Sequence, residues 1–241
     1  MEGGAFGVGQ PFPSRMEVGQ PMGYFFGYQT NGIFQNQDEV NTHADQSALG
    51  TSDVRPGDLR YVDQNGDGII DTNDRVYIGD PIPDATMGFN LTLNYKGIDF
   101  TTYIFASLGN DMVRNYERAL SDVNRLNYVL DRWHGPGTSN EVPRVTTGAT
   151  NNYVFSDYYV EDASYARIQN LQLGYSFSDR LLGDSFIKKL RIYAAVNNLY
   201  TFTKYKGYDP GASSNDPLAA GIDYGFYPIP RTYMMGINLK F

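Results

Sequence analysis

The sequence has no cysteine among its 241 residues. That excludes a disulfide scaffold and any zinc–thiolate centre, while leaving an oxidising compartment open. Histidine is almost as scarce: His43 and His134 both fall in expected loops, neither in the spacing of a catalytic triad or a metal site. No catalytic residues are assigned, and the expectation is a protein that is not an enzyme. Charged residues make up 19% of the chain and sum to a net charge of −8. This excludes a nucleic-acid binder, whose affinity rests largely on neutralising phosphates. No run of about 18 apolar residues occurs, so no helix is expected to cross a membrane. Strands can still do so, because their alternating pattern leaves hydropathy low. The first residues, MEGGAFGVGQPFPSRM, lack the apolar stretch of a signal peptide. For an exported protein this predicts a true N-terminus further upstream.

What the chain has in abundance is aromatic side chains, 20 Tyr and 14 Phe. These residues favour strands and membrane-interface belts. Five segments alternate with period 2, predicting strands at about 87–95, 98–107, 165–177, 189–202 and 231–241. In the first, Met87, Phe89, Leu91, Leu93 and Tyr95 share one face, with Gly88, Asn90, Thr92 and Asn94 opposite. Lys96 and Gly97 form a two-residue hairpin loop leading to Ile98, Phe100, Thr102, Ile104 and Ala106. Leu171, Leu173, Tyr175 and Phe177 carry the pattern in the third strand, and Leu190, Ile192, Ala194 and Val196 in the fourth. Tyr233, Met235, Ile237, Leu239 and Phe241 end it. Arg167 is a misfit, because simple alternation puts it on the apolar face; snorkelling or a bulge would accommodate it.

Alternation is equally the pattern of a soluble antiparallel sheet with one wet face. Strands of about 9–14 residues, close to a tilted membrane span, favour the membrane. Connections also alternate between short (96–97, 178–188) and long (109–164, 203–230), as in outer-membrane barrels with short periplasmic turns and long outer loops. The expected fold is therefore all-β: the C-terminal strands of an antiparallel transmembrane β-barrel, a partial barrel with long extracellular loops. Residues 1–86 form an extracellular loop region, and residues 87–241 the barrel strands and loops. Five strands cannot close a barrel, so the chain is expected to be part of a longer protein.

One loop carries recognisable chemistry. Residues 63–74, DQNGDGIIDTND, place Asp63, Asn65 and Asp67 at positions 1, 3 and 5 of a calcium loop, with Gly68 at the sharp turn. The Ile69 carbonyl stands at position 7, Asp71 at 9, and Asp74 at 12 where Glu is usual. These hard oxygen donors predict structural calcium. The competing reading is an Asx- and Gly-rich turn whose carboxylates cap backbone amides. Trp133 and His134 lie in the longest loop and could meet a ligand or partner, or Trp133 could pin that loop to a core.

Taken together, these segments resemble the C-terminal part of the SusC/RagA family of TonB-linked outer-membrane proteins. The resemblance rests on Val18–Tyr28 (VGQPMGYFFGY), Asn31–Phe34 (NGIF), Pro56–Tyr61 (PGDLRY) leading into the calcium-like loop, and Asp74-Arg75, Ile78-Gly79, Pro83 and Gly88. It continues through Arg132-Trp133, Tyr159–Asp162, Arg167–Leu171, Asn197–Leu199, Tyr227-Pro228, Pro230–Thr232 and Gly236. It implies a TonB-dependent importer of oligosaccharides or peptides in the outer membrane of Bacteroidetes, a plugged barrel working with a SusD-like surface lipoprotein. The signal peptide, TonB-contacting segment and plug of a complete member are not in this sequence. The chain end resembles the signal read by the barrel-assembly machinery, carried by Gly236, Leu239 and Phe241; Met234 departs from its polar position. Two other readings stay open: a secreted calcium-stabilised β-rich binding module, and a structural or adhesive outer-membrane barrel.

Overall fold

The computed structural model describes residues 5–6, 13–116, 125–183, 186–214, 216 and 219–241; the expected loop regions at 1–86 and 109–164 thus lie partly outside the described residues. The chain divides into two compact units: 1–82, 111–161 and 213–225 form one, and 83–110, 162–212 and 226–241 the other. This differs from a single division near residue 86, because the long connections between strands pack with the N-terminal segment.

The second unit is a five-stranded antiparallel meander: Ala85–Tyr95, Ile98–Leu108, Tyr165–Ser176, Lys189–Thr203 and Thr232–Lys240, each paired with the next. Lys96 (φ 47°) and Gly97 (φ 85°) turn between the first two strands in the left-handed conformation of a tight hairpin. The register aligns Phe89 with Ile104 and Leu93 with Phe100. Leu173 is level with Phe100 and Ala194, and Ala194 with Met235. One row of apolar side chains therefore runs across all five strands on a single face.

A bulge corrects the sequence-based placement of Arg167. Ile168 pairs with Ile104 and Asn170 with Tyr103, so Gln169 is an extra residue on the third strand. On the fourth, Asn198 and Leu199 stand between the partners of those same residues, with Asn198 at φ 52°. The extra residue reverses the alternation of the third strand at that point. Arg167 consequently lies on the polar face, level with Thr201 and only 4% exposed.

The first unit is made of short pieces. Tyr24–Gly27 pairs with Val76–Gly79, Thr30–Ile33 with Leu59–Tyr61, and Asp111–Arg114 with Ile222–Asp223. Phe25, Val113, Phe155, Tyr159 and Ile222 form one buried cluster; Tyr28, Ile33, Leu59, Tyr61 and Ile70 form another. Strands this short are held by side chains that satisfy backbone groups. Buried Asp58 accepts from Arg144 Nε (2.8 Å) and Nη2 (3.0 Å), Thr150, Asn152 and the Arg55 amide. Asn152 in turn accepts from the Leu59 amide.

Candidate functional site

The exposed apolar row on the sheet is the feature with most bearing on function. Water-soluble sheets bury such a face. Here Met87, Phe89, Leu93, Tyr95, Leu173, Ile192, Tyr233, Ile237 and Phe241 are exposed, and Met235 is 91% exposed. An 11-residue strand is about 36 Å long; tilted by roughly 40° it rises about 28 Å, close to the apolar band of about 25 Å on outer-membrane barrels. Tyr200 and Phe202 stand toward one end of this face, Tyr95 and Phe241 toward the other. Aromatics at both margins match the two interfaces of a bilayer.

The opposite face is polar and built by close fit. Arg191 donates to Asp99 through Nε (2.9 Å) and Nη2, reaching across the third strand at Gly174. A Cβ there would lie 2.6 Å from Arg191 Nη2 and from Asp99 Oδ1, so only glycine admits the pair. Asn170 donates to Asn197 at 2.8 Å on the same face. The Tyr193 ring lies over Gly236, where a Cβ would come within 2.4 Å of its Cζ. Gly236, singled out in the chain-end pattern, thus has a packing reason of its own. Leu239 is level with Leu190, and the Phe241 ring stacks on Phe186 at 5.7 Å and 4°.

Arg167 and Asp209 form a buried pair on this unit. Arg167 donates to Asp209 Oδ1 through Nη2 and to Thr201 through Nε. The amides of Gly211 (2.9 Å) and Ile229 (3.1 Å) also donate to Asp209. Burial alone pushes the Asp209 carboxyl up, but these amides and the guanidinium outweigh it and hold it below its ordinary value.

The calcium-like loop lies in the first unit. Asp63 accepts the amides of Gly66 (2.7 Å) and Gly68 (2.8 Å), Asn65 that of Asp67, and Asp67 that of Ile69. The Gly68 amide, helped by its neighbours, holds the Asp63 carboxyl below its ordinary value. Asp71 accepts from Asn73, and buried Asp74 takes the amides of Gln64 and Asp71. Ile70 anchors the loop: it is fully buried and its amide donates to Asp45. Among the described residues, no three His, Cys, Asp or Glu side chains converge as a metal site. The loop's oxygens are turned to its own amides. A carboxylate has about four lone-pair positions, so each keeps capacity for a hard cation.

Trp133 packs against a core. Its ring lies against Gly57 and the Tyr28–Tyr61 cluster, and its Nε1 donates to Gln35 at 3.1 Å. His134 is exposed, with Nδ1 3.0 Å from the Arg132 carbonyl. His43 Nε2 lies 2.7 Å from the Tyr61 carbonyl.

No protein-family model matches the chain. The TonB-dependent receptor P3 of Formosa agariphila is 36% identical over 237 residues, covering 94% of this chain and 23% of the relative. The TonB-dependent receptor SusC of Bacteroides thetaiotaomicron is 32% identical over 189 residues, 78% of this chain and 18% of that protein. The chain belongs to the SusC/RagA family of TonB-dependent receptors. It spans about a quarter of the length of the curated relatives it matches. Among solved structures, the RagAB peptide importer in its open-open state superposes with a TM-score of 0.69 at 23% identity, over 95% of this chain and 23% of that one. The shared fold is the antiparallel strand architecture of that receptor.

Proposed function

We propose that the chain is the wall and surface-loop portion of an active outer-membrane importer. The five-stranded sheet spans the bilayer, apolar face to lipid and polar face to the lumen, and residues 1–86 belong to the extracellular loop region. The exposed period-2 apolar face ending on Phe241 carries this reading. In the intact receptor the cargo is an oligosaccharide or peptide, TonB supplies energy, and a SusD-like lipoprotein is the surface partner. Gly236, Leu239 and Phe241 serve as the signal for the barrel-assembly machinery. The test is uptake by cells with and without the intact receptor, using labelled oligosaccharides and peptides. Loss of uptake of one class on deletion is expected. Unchanged uptake of both, with the protein recovered from the medium, would favour a secreted module.

Calcium is part of the same proposal. Asp63, Asn65, Asp67, the Ile69 carbonyl, Asp71 and Asp74 would hold it, and the ion would neutralise carboxylates crowded on one short loop. Calcium at millimolar level is expected to raise the melting temperature of the intact protein by several degrees, and Asp67→Ala to abolish that rise. A melting temperature indifferent to calcium in both proteins rules the ion out.

A further inference from the structure

The sequence holds two Asn-Gly steps, Asn31-Gly32 and Asn65-Gly66, and both asparagines are exposed. Asparagine before glycine is chemically labile, because the next main-chain nitrogen meets no Cβ on its way to the side-chain amide. That nitrogen gives up its proton to solvent and attacks the asparagine Cγ. The Cγ–Nδ2 bond breaks, ammonia leaves, and a cyclic imide closes. Water then opens the imide to aspartate or isoaspartate. The demanding part is the ionised peptide nitrogen, whose charge is shared with the carbonyl oxygen of the same peptide group. Whatever touches that peptide group therefore sets the rate.

The fold treats the two steps oppositely. Arg60 Nε donates to the Asn31 carbonyl at 2.8 Å. That oxygen belongs to the peptide group of the Gly32 nitrogen, so the guanidinium stabilises the charge as it develops. Glu39 stands 3.8 Å from Arg60 Nη1, too far and too exposed to cancel that charge. Among the described residues the Asn31 side chain makes no hydrogen bond, which leaves it able to turn toward Gly32. Gly32 itself is fixed: it has φ 81°, and a Cβ there would lie 2.6 Å from Asn140 Oδ1. At Asn65 every reacting group is engaged. The Gly66 amide donates to Asp63 Oδ1 at 2.7 Å, and a carboxylate there opposes loss of the proton. Asn65 Oδ1 accepts the Asp67 amide at 2.8 Å, and its Nδ2 donates to Asp67 Oδ2 at 2.9 Å.

We infer that Asn31 is a site of spontaneous deamidation activated by Arg60, and that the 63–74 loop suppresses the same reaction at Asn65. The product carries a new negative charge at position 31. Isoaspartate also lengthens the backbone of the strand Thr30–Ile33, next to the buried Ile33. The inference goes beyond the importer reading and does not depend on transport or on calcium, because it concerns the chemistry of the folded chain alone.

The experiment holds the intact receptor in detergent at mildly alkaline pH and follows the peptides containing Asn31 and Asn65 by mass, as each amide turns to acid. Asn31 is expected to convert at least about tenfold faster than Asn65 in the folded protein. In urea, where both steps lose their contacts, the two rates are expected to converge. Arg60→Met is expected to slow Asn31 by about fivefold and to leave Asn65, the control within the same molecule, unchanged. If Arg60→Met melts early, the ratio in folded and unfolded wild type decides. The inference fails if the folded protein converts Asn65 as fast as Asn31, if the difference persists in urea, or if folded Arg60→Met converts Asn31 at the wild-type rate.

Discussion

Arg167→Met is expected to destabilise the protein by about 3–5 kcal/mol, because it leaves the carboxylate of Asp209 buried without its cation. Both residues are 4% exposed. The Gly211 and Ile229 amides remain as donors, but amides do not supply a countercharge. Denaturation of the detergent-solubilised protein reads the loss. The double variant Arg167→Met/Asp209→Asn is expected to recover part of it, since the stranded charge is gone. pH gives a separate check on Asp209. Its carboxyl is held below the ordinary value in the fold, so its contribution is complete above an unfolded value of about 3.9. That contribution is lost as pH falls through the lower folded value. The stability gap between wild type and Asp209→Asn should therefore be full at neutral pH and close in strong acid.

The second large effect is expected at Met235. It is 91% exposed, and on a water-soluble sheet an arginine there would change stability by no more than about 0.5 kcal/mol. Facing hydrocarbon, the same arginine costs about 2–4 kcal/mol near the bilayer midplane and less near the interfaces. Met235→Arg in the intact receptor should therefore lower the amount of folded protein in the outer membrane. Met234→Arg, one residue along on the polar face, should have a much smaller effect. Equal outcomes for the two variants would mean that the sheet has no lipid side.

The strands were legible because each has two unlike faces. Met87, Phe89, Leu91, Leu93 and Tyr95 against Gly88, Asn90, Thr92 and Asn94 is a pattern that only an extended chain sorts into an apolar and a polar side. The bulge was not legible. Gln169 is one extra residue between Ile168 and Asn170, and only the isolated misfit of Arg167 hinted that alternation reverses there. The first unit was opaque for another reason. Strands of three or four residues carry too little periodicity to register, and they are fastened by groups about 90 residues apart, as Asn152 is to Leu59.

The candidate sites divide in the same way. Spacing located the 63–74 loop, because its donors lie close together in the chain. It could not say that Asp63 and Asp74 would take amides from Gly68 and Gln64. Trp133 stood out by rarity, yet its role is set by Gly57 and Gln35, which lie far away in sequence.

These 241 residues contain no cysteine, so the side of the sheet that meets lipid can be read by site-directed labelling once any cysteine elsewhere in the receptor is replaced. Single cysteines placed in turn at positions 232–240 of the intact receptor in lipid can each carry a nitroxide label. Collision with apolar oxygen and with a water-soluble nickel chelate then reports which side of the sheet meets lipid. A membrane-spanning final strand predicts that labels at 233, 235, 237 and 239 favour oxygen, while those at 234, 236 and 238 favour the chelate. Uniform access to the chelate at all positions would contradict it.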